Sequence, residues 1–456
     1  MSGRSLRAKF AANEVCFTVL LALLMGCNPS SAQNSEPAAK AEPKPSAEQL
    51  RFATHPGYVT PAGSKQECLG RLVFDAPREM QWGINAPGSW SGDRFRFTED
   101  MHGGQDYVGV GNVKVVVSAP AKRADIERMH RSQDAKKDNA IFEYETSIET
   151  HQFGISELER VLRDPSQNVN NVDTSRYPDV IKQDREEIKS LQTSIANLQK
   201  DWHPMDLGLP DSLGYAAGPT LYAFLLRDGR AYQFMSTGGQ GEPKFEERER
   251  AFLTMIKRFQ VRKMHDIPKA PGICIPYGFI PDDGLGHFRT EVSMRYADQP
   301  GVIYTIGTAV VGERGIEGPE PALLQATARA AAGTLSGVLS TGRDTKSLGP
   351  RAATIGALPA HQGGISMNVA EPGKPPVRSY SVYTGYPGWN HSRVLPAITV
   401  NLRSFTKEQE RTLKADPPPF EESLARLDAL LKSIRLRPTE PVMPELLNTP
   451  STLLSK

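Results

Sequence analysis

Two stretches of the chain carry the same hydrophobic rhythm. FEERERAFLTMIKRFQVR, opening at Phe245, and FEESLARLDALLKSIRLR, opening at Phe420, align without a gap over eighteen residues at an offset of 175. Phe252 answers Leu427, Met255 answers Leu430, Ile256 answers Leu431, Phe259 answers Ile434 and Val261 answers Leu436. Apolar positions at i, i+3, i+4 and i+7 predict an amphipathic helix in each copy, one face turned to a core. Acids in the first turn and bases at the end suit the helix dipole. Pro243 and Pro417–Pro419 mark the two starts, and Lys257 and Arg262 find matches in Lys432 and Arg437.

The halves that end alike also begin alike. Cys68-Leu69-Gly70-Arg71-Leu72-Val73-Phe74-Asp75 heads one, and Cys274-Ile275-Pro276-Tyr277-Gly278-Phe279-Ile280 heads the other, each a Cys leading a strand-like run. From the Cys to the closing helix is 177 residues in the first half and 146 in the second, so the first holds an insertion. Residues 155–202 supply it. There Ile181, Ile188, Leu191, Ile195 and Leu198 follow heptad-like spacing among charged residues, which predicts a helical arm. Such a stripe packs on its own protein or projects to meet a partner, and its absence from the second half favours the partner.

Elsewhere the pattern is that of strands. Val113–Val117, Phe288–Tyr296, Val302–Val311, Val377–Tyr383 and Ala397–Leu402 are β-rich or alternating, and Leu221–Leu226 and Ala231–Phe234 flank an Asp228-Gly229 turn as a hairpin would. Polar and Ala-rich helices are expected near Arg123–Lys137 and Pro321–Ser340. The prediction is an α+β fold of two related domains, 61–263 and 272–440, each a mainly antiparallel sheet backed by helices, with a tail at 441–456.

Composition narrows the compartment. The 54 Lys and Arg against 52 Asp and Glu leave +2, and the first 26 residues carry all of it in Arg4, Arg7 and Lys9 against Glu14. The remainder is neutral and has no field to hold nucleic acid. The run VCFTVLLALLM, Val15 to Met25, is too short to span a bilayer, which takes about 20 residues, and reads as a signal-peptide core. It ends in Leu24-Met25-Gly26-Cys27, which resembles a bacterial lipobox; the resemblance implies cleavage after Gly26 and acylation of Cys27. Residues 27–60, rich in Ser, Ala, Pro, Glu and Lys, read as a flexible tether. With Asn28 where an inner-membrane retention signal would place Asp, the expected site is the periplasmic leaflet of the outer membrane, held by the N-terminal lipid alone. Cys68 and Cys274 remain in an oxidising space, either bridged or buried separately.

The chain advertises no chemistry. No G-x-S-x-G, H-E-x-x-H or C-x-x-C occurs, so no nucleophile elbow and no zinc motif is present, and neither a catalytic residue, a metal nor a cofactor is expected. His102-Gly103-Gly104 reads as a Gly turn and Asp282-Asp283-Gly284 as a solvated turn, since no Glu follows at the twelfth position of a calcium loop. His265, His287, His361 and His391 read as turn or surface residues.

With these residues in view, the chain resembles the cognate immunity proteins that bacteria pair with phospholipase effectors of the type VI secretion system, the fourth lipase-effector class. Cys68-x-Gly70-Arg71, Phe74-Asp75-x-Pro77, Cys274, Gly278-Phe279-Ile280 and Asp282-Asp283 carry the resemblance. It implies two α+β domains that clasp a lipase effector in the periplasm and block its access to lipid. An envelope hydrolase and a structural envelope lipoprotein are the alternative readings.

Overall fold

The computed structural model describes residues 45–77, 79–83, 97–98, 103–110, 113–168, 173–238, 244–282, 288–310, 345–369, 377–389, 392, 394–407 and 409–440. All of them belong to one compact unit, Lys44–Lys456. The signal segment, Cys27, the helix expected at Pro321–Ser340 and the tail 441–456 lie outside the described residues.

Order begins earlier than the composition suggested. Helix α1 (Ala47–Ala53) starts inside the stretch expected to be a tether, because Ser46 and Gln49 form a capping box and Leu50 and Ala53 are fully buried. Strands β1 (Ser64–Leu69) and β2 (Leu72–Pro77) then make the first head hairpin, followed by β3 (Met80–Gly83), β4 (Phe97–Thr98), β5 (Gly103–Val110) and β6 (Val113–Pro120). Helix α2 (Arg123–Arg163), a 3-10 turn at Pro165–Gln167 and helix α3 (Tyr177–Asp201) form the insertion. The polar helix expected at Arg123–Lys137 therefore continues without a break for 41 residues. Next come β7 (Trp202–Met205), β8 (Ser212–Ala217), β9 (Thr220–Arg227) and β10 (Arg230–Thr237); between the last two, Asp228 and Gly229 have φ of 45° and 68°, as a tight hairpin turn requires. Helix α4 (Phe245–Arg258) and β11 (Gln260–Val261) close the first half.

The second half opens with the head hairpin β12 (Gly272–Ile275) and β13 (Gly278–Pro281), then β14 (Phe288–Tyr296), β15 (Val302–Ala309), β16 (Thr345–Ile355), β17 (Leu358–Val369), β18 (Val377–Tyr386) and β19 (Ala397–Ser404). Helix α5 (Phe420–Ser433) and β20 (Arg435–Leu436) end it, each offset by 175 from α4 and β11. The predicted α+β class with antiparallel pairing is what the structure has: the large sheet runs β16-β17-β18-β19-β15-β14-β5-β6-β10-β9-β8-β7. Strands of the two halves pair along β14, where Phe288 meets Val110 and Tyr296 meets Met80.

The closing strands do not return to their own heads. β11 pairs with β13, Val261 opposite Gly278, while β20 pairs with β2, Leu436 opposite Leu72. Packing follows the same exchange. Leu69, Leu72 and Phe74 of the first head sit among Val292, Tyr304, Val400 and α5 residues Leu427, Leu430 and Leu431. Ile273, Ile275 and Ile280 of the second head sit among Val115, Leu221, Phe234 and α4 residues Phe252 and Ile256. The segments 61–263 and 272–440 thus describe the sequence repeat, whereas each core draws on both. Each fully buried Leu, Ile or Phe contributes about 1.5–3 kcal/mol, so the exchanged heads hold the halves together.

Candidate partner-binding surface

Cys68, Gly70, Arg71, Cys274, Phe279 and Asp282, among the residues that carry the family resemblance, meet at one place, the junction of the two heads. Cys68 and Cys274, each at most 1% exposed, are joined as a disulfide with a Cα–Cα distance of 5.8 Å. Beside it, Gly70 and Cys274 exchange two backbone hydrogen bonds of 2.8 Å each. Gly70 has φ +57°, and a Cβ there would lie 2.7 Å from the Phe288 ring, so this position needs glycine on both counts. Arg71, fully buried, donates from both terminal nitrogens to Asp282 at 2.8 and 3.0 Å, a fork that ties the first head to the end of the second. Asp75 accepts from Tyr58 at 2.6 Å and Thr60 at 3.2 Å and faces Arg435 at 3.7 Å. Burial, reinforced by that Asp75 carboxylate, pushes the Tyr58 phenol well above its ordinary range.

Two further buried arginines complete the junction, and they are the pair matched in the sequence repeat. Arg262 meets Glu67 at 2.7 Å and donates to the carbonyls of Cys68, Ile275 and Gly278 at 3.2, 3.0 and 3.2 Å. Arg437 donates to the carbonyls of Pro268, Ala270 and Gly272 and lies over the Phe279 ring. Burial, with Arg71 and Arg262 adding positive charge nearby, lowers the Arg437 pKa to about 10. The shared Arg in the repeat was the signal for this cluster. Its partners are mostly carbonyls, which leave no trace in side-chain pattern.

The junction is therefore architecture, and the surface available to a partner lies elsewhere. Helix α2 begins on the sheet, where Ile126 packs against Phe224 and Ala231, Asp134 accepts from Tyr215 at 2.8 Å and Lys137 donates to the Trp202 carbonyl at 3.0 Å. Its buried residues, Ile126 and Gln133, both fall in its first third. From Asp138 outward it pairs with α3 as a two-helix arm of 26 residues, about 39 Å at 1.5 Å per residue. The expected stripe lines the seam: Ile181 is buried and Ile188, Leu191, Ile195 and Leu198 are half-buried. A matching heptad on α2, with Ile141, Ile148, Ile155 and Leu158 half-buried, completes it. His151 Nδ1 stands 3.0 Å from Asp184 across the seam, and Arg185 meets Glu159 at 2.7 Å. Side chains left facing water include Phe142 and Phe153 on α2.

The remaining chemical candidates are spread apart. Gly103 and Gly104 lie in β5, Asp282 is engaged by Arg71, His361 is exposed on β17, and the backbone N–H of His265 donates to Glu67 at 2.9 Å. His102, Asp283, Gly284, His287 and His391 lie outside the described residues. Among the described residues no group of His, Cys, Asp or Glu could hold a metal ion, and no helix is long and apolar enough to cross a membrane.

Residues 266–439 match the family model of the Tle cognate immunity protein 4 C-terminal domain. That span takes in Cys274, Gly278-Phe279-Ile280 and Asp282, and the resemblance drawn from them is borne out there. No curated protein sequence matches the chain. Among solved structures, TplEi, an immunity protein of the type VI secretion system from Pseudomonas aeruginosa in complex with an "L" peptide, shares 15% identity over 83% of this chain and 99% of its own, with a TM-score of 0.48. Apo TplEi shares 16% over 83% and 98%, and a Tle4–Tli4 complex 16% over 84% and 100%, both again at 0.48.

Proposed function

We propose that this chain is an immunity protein of the type VI secretion system, which binds a phospholipase effector in the periplasm and neutralises it without chemistry of its own. The match of residues 266–439 to the cognate immunity family carries this reading. A buried disulfide suits an oxidising compartment, and a frame locked by exchanged strands is preorganised, which lowers the ordering cost of gripping a partner. Acylation at Cys27 would hold the protein at the membrane face where a lipase must act and raise its effective concentration there. The alternative envelope roles have no observation in their favour.

Co-expression with the phospholipase effector of the same locus, directed to the periplasm of a sensitive host, tests the function. Cells carrying this chain survive; equal killing with and without it, both proteins being made and exported, rejects the reading. Anchoring is tested apart, by fatty-acid labelling. Cys27→Ala should take up no label, and label equal to the parent's rejects the lipobox.

A further inference from the structure

We propose that the solvent face of α2 around Phe142 and Phe153 is a docking surface for the effector, and that the surface it meets is basic with pockets for two aromatic rings. The inference rests on the immunity reading and names where on this chain the partner sits. Phe142 and Phe153 are 67% and 68% exposed. Eleven residues is three helical turns, so the rings point within about 20° of each other, about 16 Å apart along the axis. Asp138, Thr146, Glu149 and Ser156 share the strip, all exposed. The seam with α3 is already filled by the heptad positions, so neither ring is needed to hold the arm together. Large aromatics placed together in water and free of structural duty mark interaction sites, and aromatics supply much of the binding energy where proteins meet.

Charge identifies the occupant. Between residues 138 and 159 the helix carries Asp138, Glu143, Glu145, Glu149, Glu157 and Glu159 and not one Lys or Arg. Arg160 pairs with Glu157 and Arg185 with Glu159, so the field on this face comes from Asp138, Glu143, Glu145 and Glu149. Helix α3 mixes signs, with Lys182, Arg185 and Lys189 beside Asp179, Asp184, Glu186 and Glu187, so the stronger acidic bias belongs to α2. A second copy of this chain would bring like charge to the same face. A partner with Lys and Arg around apolar pockets is drawn in by the field and held by the rings.

The test uses the full chain and the purified phospholipase effector of the same locus, with association and dissociation rates measured at low and physiological salt. The double variant Phe142→Ser/Phe153→Ser should melt with the parent, since both rings are exposed, yet bind about 100-fold more weakly. Glu145→Lys/Glu149→Lys should slow association about tenfold, an effect that salt erases. Phe52→Ser, at a ring 57% exposed but off the arm, should leave both rates unchanged. If the parent binds and the double Phe variant binds within twofold of it, the docking surface is overturned while the immunity reading stands. If the parent does not bind the effector at all, the immunity reading fails and this inference with it.

Discussion

Arg262 and Arg437 hold the same place in two copies of one motif, and each carries a guanidinium to carbonyls at the head junction. A planar five-donor group suits that task, because its fork reaches carbonyls spread around the junction, where an ammonium offers three donors from a single point. Removing either leaves buried carbonyls without a donor, and at Arg262 leaves Glu67 without its cation in a site where Glu67 is fully buried. Arg262→Ala, which breaks a buried ion pair, should lower unfolding stability by about 3–5 kcal/mol in urea titrations, and Arg437→Ala, which strips only carbonyls of their donor, by about 1–3 kcal/mol, with Lys restoring only part. A loss below about 1 kcal/mol would mean that water replaces the guanidinium at the carbonyls. Both positions could be picked out by aligning the repeat. What they do could not, since carbonyl acceptors belong to the backbone and are the same in every sequence.

At the scale of elements, local rhythm was enough where a strong amphipathic stripe existed. Helices α4 and α5 begin at the Phe residues that open the two aligned stretches, and the Asp228-Gly229 hairpin stands where its turn residues place it. Strands β16 and β17 leave no strand pattern in the sequence because Gly349-Pro350 and Gly363-Gly364 interrupt any alternation, and the ladder absorbs the first pair as a register shift between Leu348 and Arg351. Helix α2 runs well past the expected Arg123–Lys137, and its seam, broken by Tyr144 and His151, leaves a weaker stripe in the sequence than that of α3. The exchange of closing strands was illegible for a different reason: two similar strands and two similar heads admit either pairing, and composition does not choose between them. It has a measurable consequence. Residues 61–263 alone would keep a first head whose core partners are Leu427, Leu430 and Leu431, all missing. That segment, and 272–440 likewise, should lack a cooperative melt when expressed singly. A sharp thermal transition from either would show that the heads can refold onto their own halves.

The described part of the molecule joins one body, built from both halves, to an exposed acidic arm. One sheet spans both halves, the exchanged heads and the Cys68–Cys274 bridge tie them, and the arm stands away from both cores. Closing so long a loop restricts the unfolded chain by about 5 kcal/mol on the chain-entropy view, which adds to the stability of the folded body. The described residues that carry the resemblance serve this body, whereas the proposed contact face left only two Phe and a run of acids in the sequence. The most direct measurement is titration of the purified mature chain into the phospholipase effector while phospholipid hydrolysis is followed. The account predicts that hydrolysis falls linearly and ends at one equivalent, with no product formed by this chain alone. Undiminished hydrolysis at several equivalents, with both proteins folded, would contradict it.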